Sequence, residues 1–312
     1  MNALRHFLAD DDLTPAEQTA VLALAAEMKA DPFKHRPFEG PRSVAILSDK
    51  ATLRTQLSFH AGVAELGGNP MFVDGRLAGI GTRESIADSA KVLSGHVSAI
   101  VWRTGAQQRI EEMAAQATVP VVNALTDEFH PCQVLADLQT ITEHKGFLHG
   151  IRFGYVGDGA NNMANSYLLG GALAGMHVRI GAPEGYQPDP AMVARAETIA
   201  AKVGGSVLIT DSPLEAVRSA DVVATDTWVS MGLEEENEAR TVAFGAYQVN
   251  ADLIDHADAE AIVMHCLPAY RGKEIMAEIL DGPRAVIWDE AENRRHAQKA
   301  ILTFLDRAAR GE

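Results

Sequence analysis

Arg54 lies between two hydroxyl side chains, Thr52 and Thr55, at the predicted start of a helix. The first N–H groups of a helix lack partners within the helix, and together with the helix dipole they attract anions. A guanidinium with two hydroxyls at such a point would suit a phosphate. The same pattern also fits an ordinary solvated helix start, and neither a Walker A lysine motif nor a GxGxxG sequence stands here.

Two further segments place hydrogen-bond donors beside apolar runs. Arg103 follows the run that begins at Ala99, while His130 and Gln133 stand at the predicted start of a helix. Each alone is more typical of a structural role, such as a helix cap. Together with Arg54 they offer donors for both a phosphate and a carbonyl oxygen, which a polarised acyl-transfer site needs.

The segment from Gly157 to Asn162 follows another apolar run and resembles a nucleotide-binding turn, since its glycines permit a tight bend. A dinucleotide site also needs an acidic residue at the end of the next strand, but Ile180 is followed by a glycine, an alanine and a proline. We therefore predict no dinucleotide site. Asn162 can donate and accept, and would suit an amino-acid head group.

Asp226 and Cys266 each come directly after, or within two residues of, an apolar run in the second half of the chain. Asp226 could hold an ammonium group, and Cys266 could line the place where an amine attacks. A nucleophilic thiol needs a flanking base, and His265 is its neighbour in sequence. Because adjacent residues after a strand normally point apart, covalent catalysis by Cys266 is disfavoured.

The elements that must position these side chains follow from the hydrophobic pattern. Thr14, Pro15 and Glu17 form a capping-box start for a helix over 15–30, and a second helix is predicted near 54–67. Short apolar runs separated by helical patterns predict buried parallel strands. These runs are Ser43 to Leu47, Met71 to Val73, Ala99 to Trp102, Val119 to Val122, Arg152 to Val156, His177 to Ile180, Ser206 to Ile209, Val222 to Ala224, Ala261 to Met264 and Ala285 to Trp288.

Length and composition agree with two α/β domains. The chain has 312 residues, of which 47% are hydrophobic and 22% charged, so it can bury a large core. We expect two doubly wound parallel-sheet domains linked by helices, with a boundary near 144–150. In such sheets ligands bind beyond the carboxyl ends of the strands, where the polar residues above stand.

Charge and cysteine content exclude several classes of protein. The net charge of −15 disfavours nucleic-acid binding, because phosphodiester backbones would be repelled. Two cysteines without zinc-like spacing predict neither a disulfide framework nor a metal site. The sequence shows no apolar run of about 18 residues and no signal-peptide pattern, so we expect a soluble, cytoplasmic protein without membrane contact.

Five motifs together resemble the aspartate/ornithine carbamoyltransferase family, and its ornithine branch in particular. They are DEFHPCQVLADLQT (127–140), GDGANNMANS (157–166), DTWVSMG (226–232), HCLPAYRG (265–272) and WDEAENRRH (288–296). The likeness covers essentially the whole chain. It implies a carbamoyl-phosphate domain over 1–146 with a C-terminal helix over 291–312 packing back on it, an amino-acid domain over 147–290, and a homotrimer with sites between subunits.

The resemblance also implies a role for each matching residue in citrulline synthesis from carbamoyl phosphate and ornithine, as in arginine biosynthesis. Arg103 and His130 would polarise the carbamoyl oxygen, while Gln133 and the Leu267 carbonyl would fix the carbamoyl nitrogen. The catalytic set would be Arg103, His130, Cys266 and Arg294. The substrate-binding set would be Thr52, Leu53, Arg54, Thr55, Gln133, Asn162, Asp226, Ser230, Met231 and Leu267. Neither cofactor nor metal is implied, because orientation and electrostatics can lower the barrier.

Departures from the family pattern cluster at the phosphate end of this site. The family signature Ser-Thr-Arg-Thr-Arg stands here as Thr52-Leu53-Arg54-Thr55-Gln56, and Gly79 replaces a loop glutamine that a neighbouring subunit contributes. Tyr270 stands where the ornithine branch usually has histidine. Two alternatives to an ordinary ornithine carbamoyltransferase therefore stay open: a specialised paralogue with an altered phosphate or donor site, and a noncatalytic amino-acid-binding homologue.

Overall fold

The computed structural model describes residues 4–229, 235 and 237–312, which form two compact units. The first unit runs to Gln139 and also takes in Glu292–Glu312, whereas the second is Thr140–Ala291. Both changes of unit fall inside helices. The predicted functional boundary between residues 146 and 147 stays a prediction.

Nine strands in the described residues form two sheets in which every neighbouring pair is parallel. The strands are β1 (Ser43–Ser48), β2 (Asn69–Asp74), β3 (Ala99–Arg103), β4 (Val121–Leu125), β5 (Arg152–Val156), β6 (His177–Gly181), β7 (Ser206–Thr210), β8 (Val222–Thr225) and β9 (Ile262–His265).

Helices lie between most of these strands, as a parallel sheet requires. They are α1 (Pro15–Ala30), α2 (Arg54–Glu65), α3 (Gly75–Ala78), α4 (Ile86–Ser94), α5 (Gln107–Gln116), α6 (Pro131–Lys145), α7 (Asn162–Leu173), α8 (Pro190–Val203), α9 (Pro213–Val217), α10 (Asn237–Phe244), α11 (Ala251–Ile254), α12 (Ala277–Leu280) and α13 (Ile287–Arg310). Among the described residues no helix is long and apolar enough to cross a membrane.

The first unit has the strand order β2-β1-β3-β4, and the second has β7-β6-β5-β8-β9. Strand order therefore reverses between β1 and β3 in one sheet and between β5 and β8 in the other. Ligands of open parallel sheets bind at such switch points, beyond the carboxyl ends of the strands. The topology alone thus selects the segments after β1, β3, β5 and β8.

The predicted fold class is confirmed, because both units are parallel sheets flanked by helices. The central strands β1, β3 and β8 are buried along almost their whole length, which explains their continuous apolar runs. Thr14 caps α1 as expected: its hydroxyl accepts from the Glu17 N–H, and the Glu17 carboxylate accepts from the Thr14 N–H.

One predicted strand is wrong. Over Ala285 to Trp288 only Ala285 makes a bridge, to Val263, and α13 begins at Ile287. Asp289 and Glu290 fall in the first turn of that helix, where carboxylates are stabilised by the helix dipole. These helix-starting residues therefore decide the structure here, although the apolar run predicts a strand.

Candidate functional site

In the first unit, donors converge at the switch point between β1 and β3. Arg54 is the first residue of α2, directly after the loop that follows β1, and Arg103 is the last residue of β3. No side chain caps α2, because its N-cap position is occupied by Leu53. The positive end of the dipole of this twelve-residue helix therefore favours an anion at its start.

The Thr55 hydroxyl lies between two buried guanidinium groups. Arg103 Nη1 is 3.5 Å and Arg294 Nη2 is 3.4 Å from Thr55 Oγ1. Arg294 Nη1 also donates to Gln133 Oε1 at 2.7 Å, and Gln133 Nε2 donates to Asp137 Oδ1 at 2.8 Å. The structure thus brings together residues from α2, β3, α6 and α13 that stand far apart in sequence.

His130 completes this arginine-rich cluster immediately before α6. Burial lowers the pKa of its imidazole well below the usual range, and the charges of Arg294, Arg103 and Arg54 lower it further. The ring is therefore neutral near pH 7. A neutral imidazole among cations can donate a hydrogen bond to a developing negative charge without adding a proton to it.

The positions that depart from the family pattern differ in environment. Leu53 is 65% exposed, whereas Thr52 and Gln56 are half-buried. Gly79 is the C-cap of α3 with φ 72°, and a Cβ there would lie 2.8 Å from Cβ of Arg83. A glutamine at this position would need a left-handed backbone and a shift of Arg83.

In the second unit, Asp226 follows β8 at the switch point with β5. It is 7% exposed, and Oδ1 accepts from the Thr227 N–H at 2.7 Å. Asn161 Nδ2 lies 3.4 Å from Asp226 Oδ2 and donates to the Tyr155 hydroxyl at 3.1 Å. Burial raises the pKa of Asp226, because removal from water disfavours the charged carboxylate.

The two thiols have different surroundings. Cys266 is half-buried, and its Sγ donates to Asp226 Oδ1 at 3.1 Å, so the structure does bring these two predicted residues together. Cys132 is fully buried and donates to the Asn123 carbonyl, and burial raises the pKa of its thiol to about 12. Cys132 is therefore chemically inert.

His265 does not activate Cys266. Its Nδ1 accepts from the Leu267 N–H at 2.9 Å, and its Nε2 lies 3.2 Å from Glu274 Oε1. One ligand-type atom from each of Asp226, His265 and Cys266 lies within 4.8 Å of the others. Both ring nitrogens are already engaged, however, so a metal ion would have to displace one of these partners.

Of the remaining predicted site residues, Leu267 and Asn162 lie in the described part of the chain. Leu267 has φ 59°, a left-handed conformation that a leucine rarely adopts and that strains the backbone at this point. Asn162 is the half-buried first residue of α7. Ser230 and Met231 lie outside the described residues.

Sequence reasoning missed two polar groups beside this cluster. Asn161 is the N-cap of α7, a position where asparagine is favoured, so the sequence pattern could have predicted this capping role. Arg240 forms a buried ion pair with Asp158 at 2.7 Å and donates to the Trp228 carbonyl at 3.2 Å. Nothing in the local sequence indicates that Arg240 is buried.

Both halves of the chain match family models. The model of the aspartate/ornithine carbamoyltransferase carbamoyl-P binding domain matches residues 5–143, and that of the Asp/Orn binding domain matches residues 149–305. The chain belongs to the aspartate/ornithine carbamoyltransferase family. The residues that converge on Thr55 come chiefly from the first matched range, and Asp226 and Cys266 come from the second.

Named relatives within the family are similar over nearly the whole chain. An ornithine carbamoyltransferase of Mycolicibacterium paratuberculosis is 60% identical over 301 residues, which cover 96% of this chain and 97% of that protein. The structure of ornithine carbamoyltransferase from Pyrococcus furiosus is 42% identical with a TM-score of 0.92, covering 96% of each chain. That of the anabolic enzyme from Campylobacter jejuni is 34% identical with a TM-score of 0.93, covering 97% of this chain and 99% of that one.

Proposed function

We propose that this chain is an ornithine carbamoyltransferase, which transfers the carbamoyl group of carbamoyl phosphate to the side-chain amine of L-ornithine and yields L-citrulline and phosphate. The observation that carries the proposal is the convergence of Arg103 and Arg294 on the Thr55 hydroxyl, with Gln133 hydrogen-bonded to Arg294. Such a set of buried donors suits a small, highly charged acyl phosphate. The named relatives support the same reaction.

On the donor side, the start of α2 with Thr52, Arg54 and Thr55 would hold the phosphate. Arg103 and the neutral ring of His130 would donate to the carbamoyl oxygen. Their burial matters, because a hydrogen bond directed at developing charge is stronger where water is excluded.

On the acceptor side, the Asp226 carboxylate would pair with the α-ammonium of ornithine. Its raised pKa reflects the cost of burying a charge, and a bound cation would repay part of that cost. Asn162, Ser230 and Met231 would complete the amino-acid site, with Cys266 near the attacking amine.

The chemistry follows from holding both reactants together. The neutral side-chain amine attacks the carbonyl carbon, a C–N bond forms, and the C=O electron pair moves onto oxygen, where Arg103 and His130 stabilise it. The oxygen then returns its electron pair to carbon and re-forms the C=O bond, while the C–O bond to phosphate breaks and its own electron pair leaves with the phosphate. The nitrogen loses its proton to the departing phosphate. Orientation and electrostatic stabilisation supply the rate enhancement.

A specialised paralogue is the second candidate, and the phosphate end of the site favours it. Leu53 offers no hydroxyl, Gln56 no charge, and the backbone at Gly79 excludes an easy return to glutamine. A hydrogen bond to a charged group contributes about 1.5–3 kcal/mol. Losing two would weaken donor binding by roughly two to four powers of ten.

The wider setting is part of the same proposal. Ornithine carbamoylation belongs to arginine biosynthesis in the cytoplasm, and we expect the chain to act as a homotrimer. Support for assembly comes from exposed apolar side chains in the first unit: Leu53, Leu57, Met71, Phe72 and Leu77.

The decisive experiment incubates the purified protein with ¹³C-carbamoyl phosphate and diamino acids of increasing length, and detects ureido products by mass spectrometry. Labelled citrulline from ornithine, lost in Arg103→Met but retained in Arg42→Met, would support the proposal. A product with another donor only would favour the specialised paralogue. Ornithine binding without any product would favour the noncatalytic homologue.

A further inference from the structure

Arg109, on α5, joins three separate pieces of the first unit. Its Nε donates to Thr104 Oγ1 at 2.9 Å, and its Nη2 donates to the Ile80 carbonyl at 2.9 Å and lies 3.3 Å from Asp49 Oδ2. Its guanidinium also stacks over the Trp102 ring, 5.2 Å from the centroid. One side chain therefore links the residue after β1, the residue after β3 and the loop after α3.

Two glycines leave the space that this network occupies. A Cβ on Gly81 would lie 2.7 Å from Arg109 Nη1, and one on Gly75 would lie 1.9 Å from Asp49 Oδ1. Both polar groups are thus in close contact with the backbone of the segment that runs from α3 to α4. Gly81 also has φ 76°, which itself favours glycine.

The network is continuous with the donor site. The Asp49 N–H donates to the Arg103 carbonyl at 2.8 Å, and Thr104 follows Arg103 directly. Thr104 Oγ1 in turn donates to Asp49 Oδ2 at 2.6 Å. Arg109 therefore holds Asp49, the first residue of the loop over 49–53, and Thr104, the residue directly after Arg103.

We infer that Arg109 is a positioning residue, which holds Arg103 and the loop over 49–53 in a fixed position relative to the loop over 79–84. This inference rests on the proposed function, since the fixed position is what carbamoyl phosphate binding would require. The effect of Arg109 is transmitted through Asp49, Thr104 and the Ile80 carbonyl.

Arg42 provides a matched control at the opposite end of β1. It donates to the Ser98 hydroxyl at 3.0 Å, to the Pro37 carbonyl at 3.0 Å and to Asp306 Oδ1 at 2.7 Å, and it stacks over Phe38 at 5.4 Å. Arg42 and Arg109 thus make the same four kinds of contact. Only Arg109 makes them beside the donor site.

The test compares Arg109→Met with Arg42→Met. We expect similar losses of Tm, but kcat/KM for carbamoyl phosphate should fall roughly tenfold or more only in Arg109→Met, because small displacements of a catalytic group are costly. KM for ornithine should change less than about twofold in both. Arg109→Lys, which keeps the charge but lacks the planar fork, should recover only part of the loss.

Amide hydrogen exchange provides a readout that needs no turnover. Arg109→Met should lose protection in 49–55 and 79–84, whereas Arg42→Met should not. Should Arg109→Met fail to fold, Thr104→Val removes the shared hydroxyl and should shift exchange and kcat/KM in the same direction. Equal kinetic losses in the two arginine variants, or unchanged exchange in both loops, would overturn the inference. Absence of citrulline from the parent protein would instead count against the proposed function and leave the exchange result decisive for Arg109.

Discussion

At the scale of single residues, His130 shows how surroundings set a charge state. An unfolded histidine has a pKa of about 6.5, whereas burial and the arginines nearby lower that of His130. Below pH 6.5 the unfolded chain therefore binds a proton that the folded chain does not. Stability must rise with pH up to about 6.5 and then level off, with a slope of at most about 1.4 kcal/mol per pH unit from this group.

His130→Gln should accordingly flatten the pH dependence of Tm between pH 5 and 6.5. Part of the slope should remain, because burial also lowers the pKa of His6. The exposed His96 serves as control, and His96→Gln should follow the parent curve. An unchanged slope in His130→Gln would show that the imidazole is not held neutral.

Asp226 permits an equally direct test, since Asp221 lies at the other end of the same strand. Asp226→Asn should raise KM for ornithine by two or more powers of ten, because a buried ammonium without its counter-charge costs about 3–5 kcal/mol. Asp221 forms an ion pair with Arg152 at 2.6 Å, so Asp221→Asn should lower Tm and leave KM for ornithine unchanged. Steady-state kinetics with carbamoyl phosphate saturating would reveal the difference, and equal KM values would exclude Asp226 as the acceptor anchor.

The sequence predicted residues at strand ends well and buried charges in helices poorly. Arg103 and Asp226 follow apolar runs, so the rule for parallel sheets was sufficient to select them. Arg240 and Lys299 stand in helical patterns where a charge normally faces solvent, and only the tertiary structure shows that each is buried.

At the scale of elements, the proposed phosphate site depends on the loop between β1 and α2. Leu53→Thr with Gln56→Arg should lower KM for carbamoyl phosphate by roughly tenfold or more, since both changes restore donors beside a helix N-terminus. The ornithine KM should stay the same. A ratio of kcat/KM at or below that of the parent would instead indicate a site remade for another donor.

Gly79→Gln, the third change towards the family pattern, is expected to lower the stability of the fold. Its φ of 72° costs a non-glycine residue about 1–2 kcal/mol, and the new Cβ would approach Arg83. Gly146 has φ 84° with nothing within 4 Å of a Cβ, so Gly146→Gln isolates the backbone cost. Calorimetry should therefore give a lower Tm for Gly79→Gln than for Gly146→Gln.

Helix α13 is fixed in the first unit by a buried lysine. Lys299 is 0% exposed, and its Nζ donates to Glu65 at 2.6 Å and to the carbonyls of Met28 and Pro32. Lys299→Met should lower the free energy of unfolding by roughly 3 kcal/mol, because Glu65 loses a buried partner.

Lys202, exposed near the end of α8, is the matched control for this helix. Lys202→Met should change stability by no more than about 0.5 kcal/mol. Urea unfolding of the two variants measures the difference. If both were equally stable, docking of α13 would not depend on the Lys299 ion pair.

At the scale of the whole molecule, the predicted architecture is confirmed where periodicity is strong. Nine of the apolar runs coincide with strands. The exception, at Ala285, shows that apolar content over four residues does not distinguish a strand from the start of an amphipathic helix. Likewise, the apolar pattern alone could not indicate that Glu292–Glu312 belongs to the first unit, because that depends on contacts between residues far apart in the sequence.

The edge strand β2 provides the last prediction. Unlike the central strands it is largely exposed, with Met71 at 42% and Phe72 at 44%, and Leu77 in the following helix is 85% exposed. An apolar edge of this kind is an association surface unless it is covered. We expect light scattering at micromolar concentration to give three times the 33.4 kDa of one chain. Phe72→Asp should shift the mass towards the monomer and lower activity, whereas the same change at the exposed Val242 should do neither. A parent protein that stays monomeric would contradict the trimer and remove Gly79 from any neighbouring site.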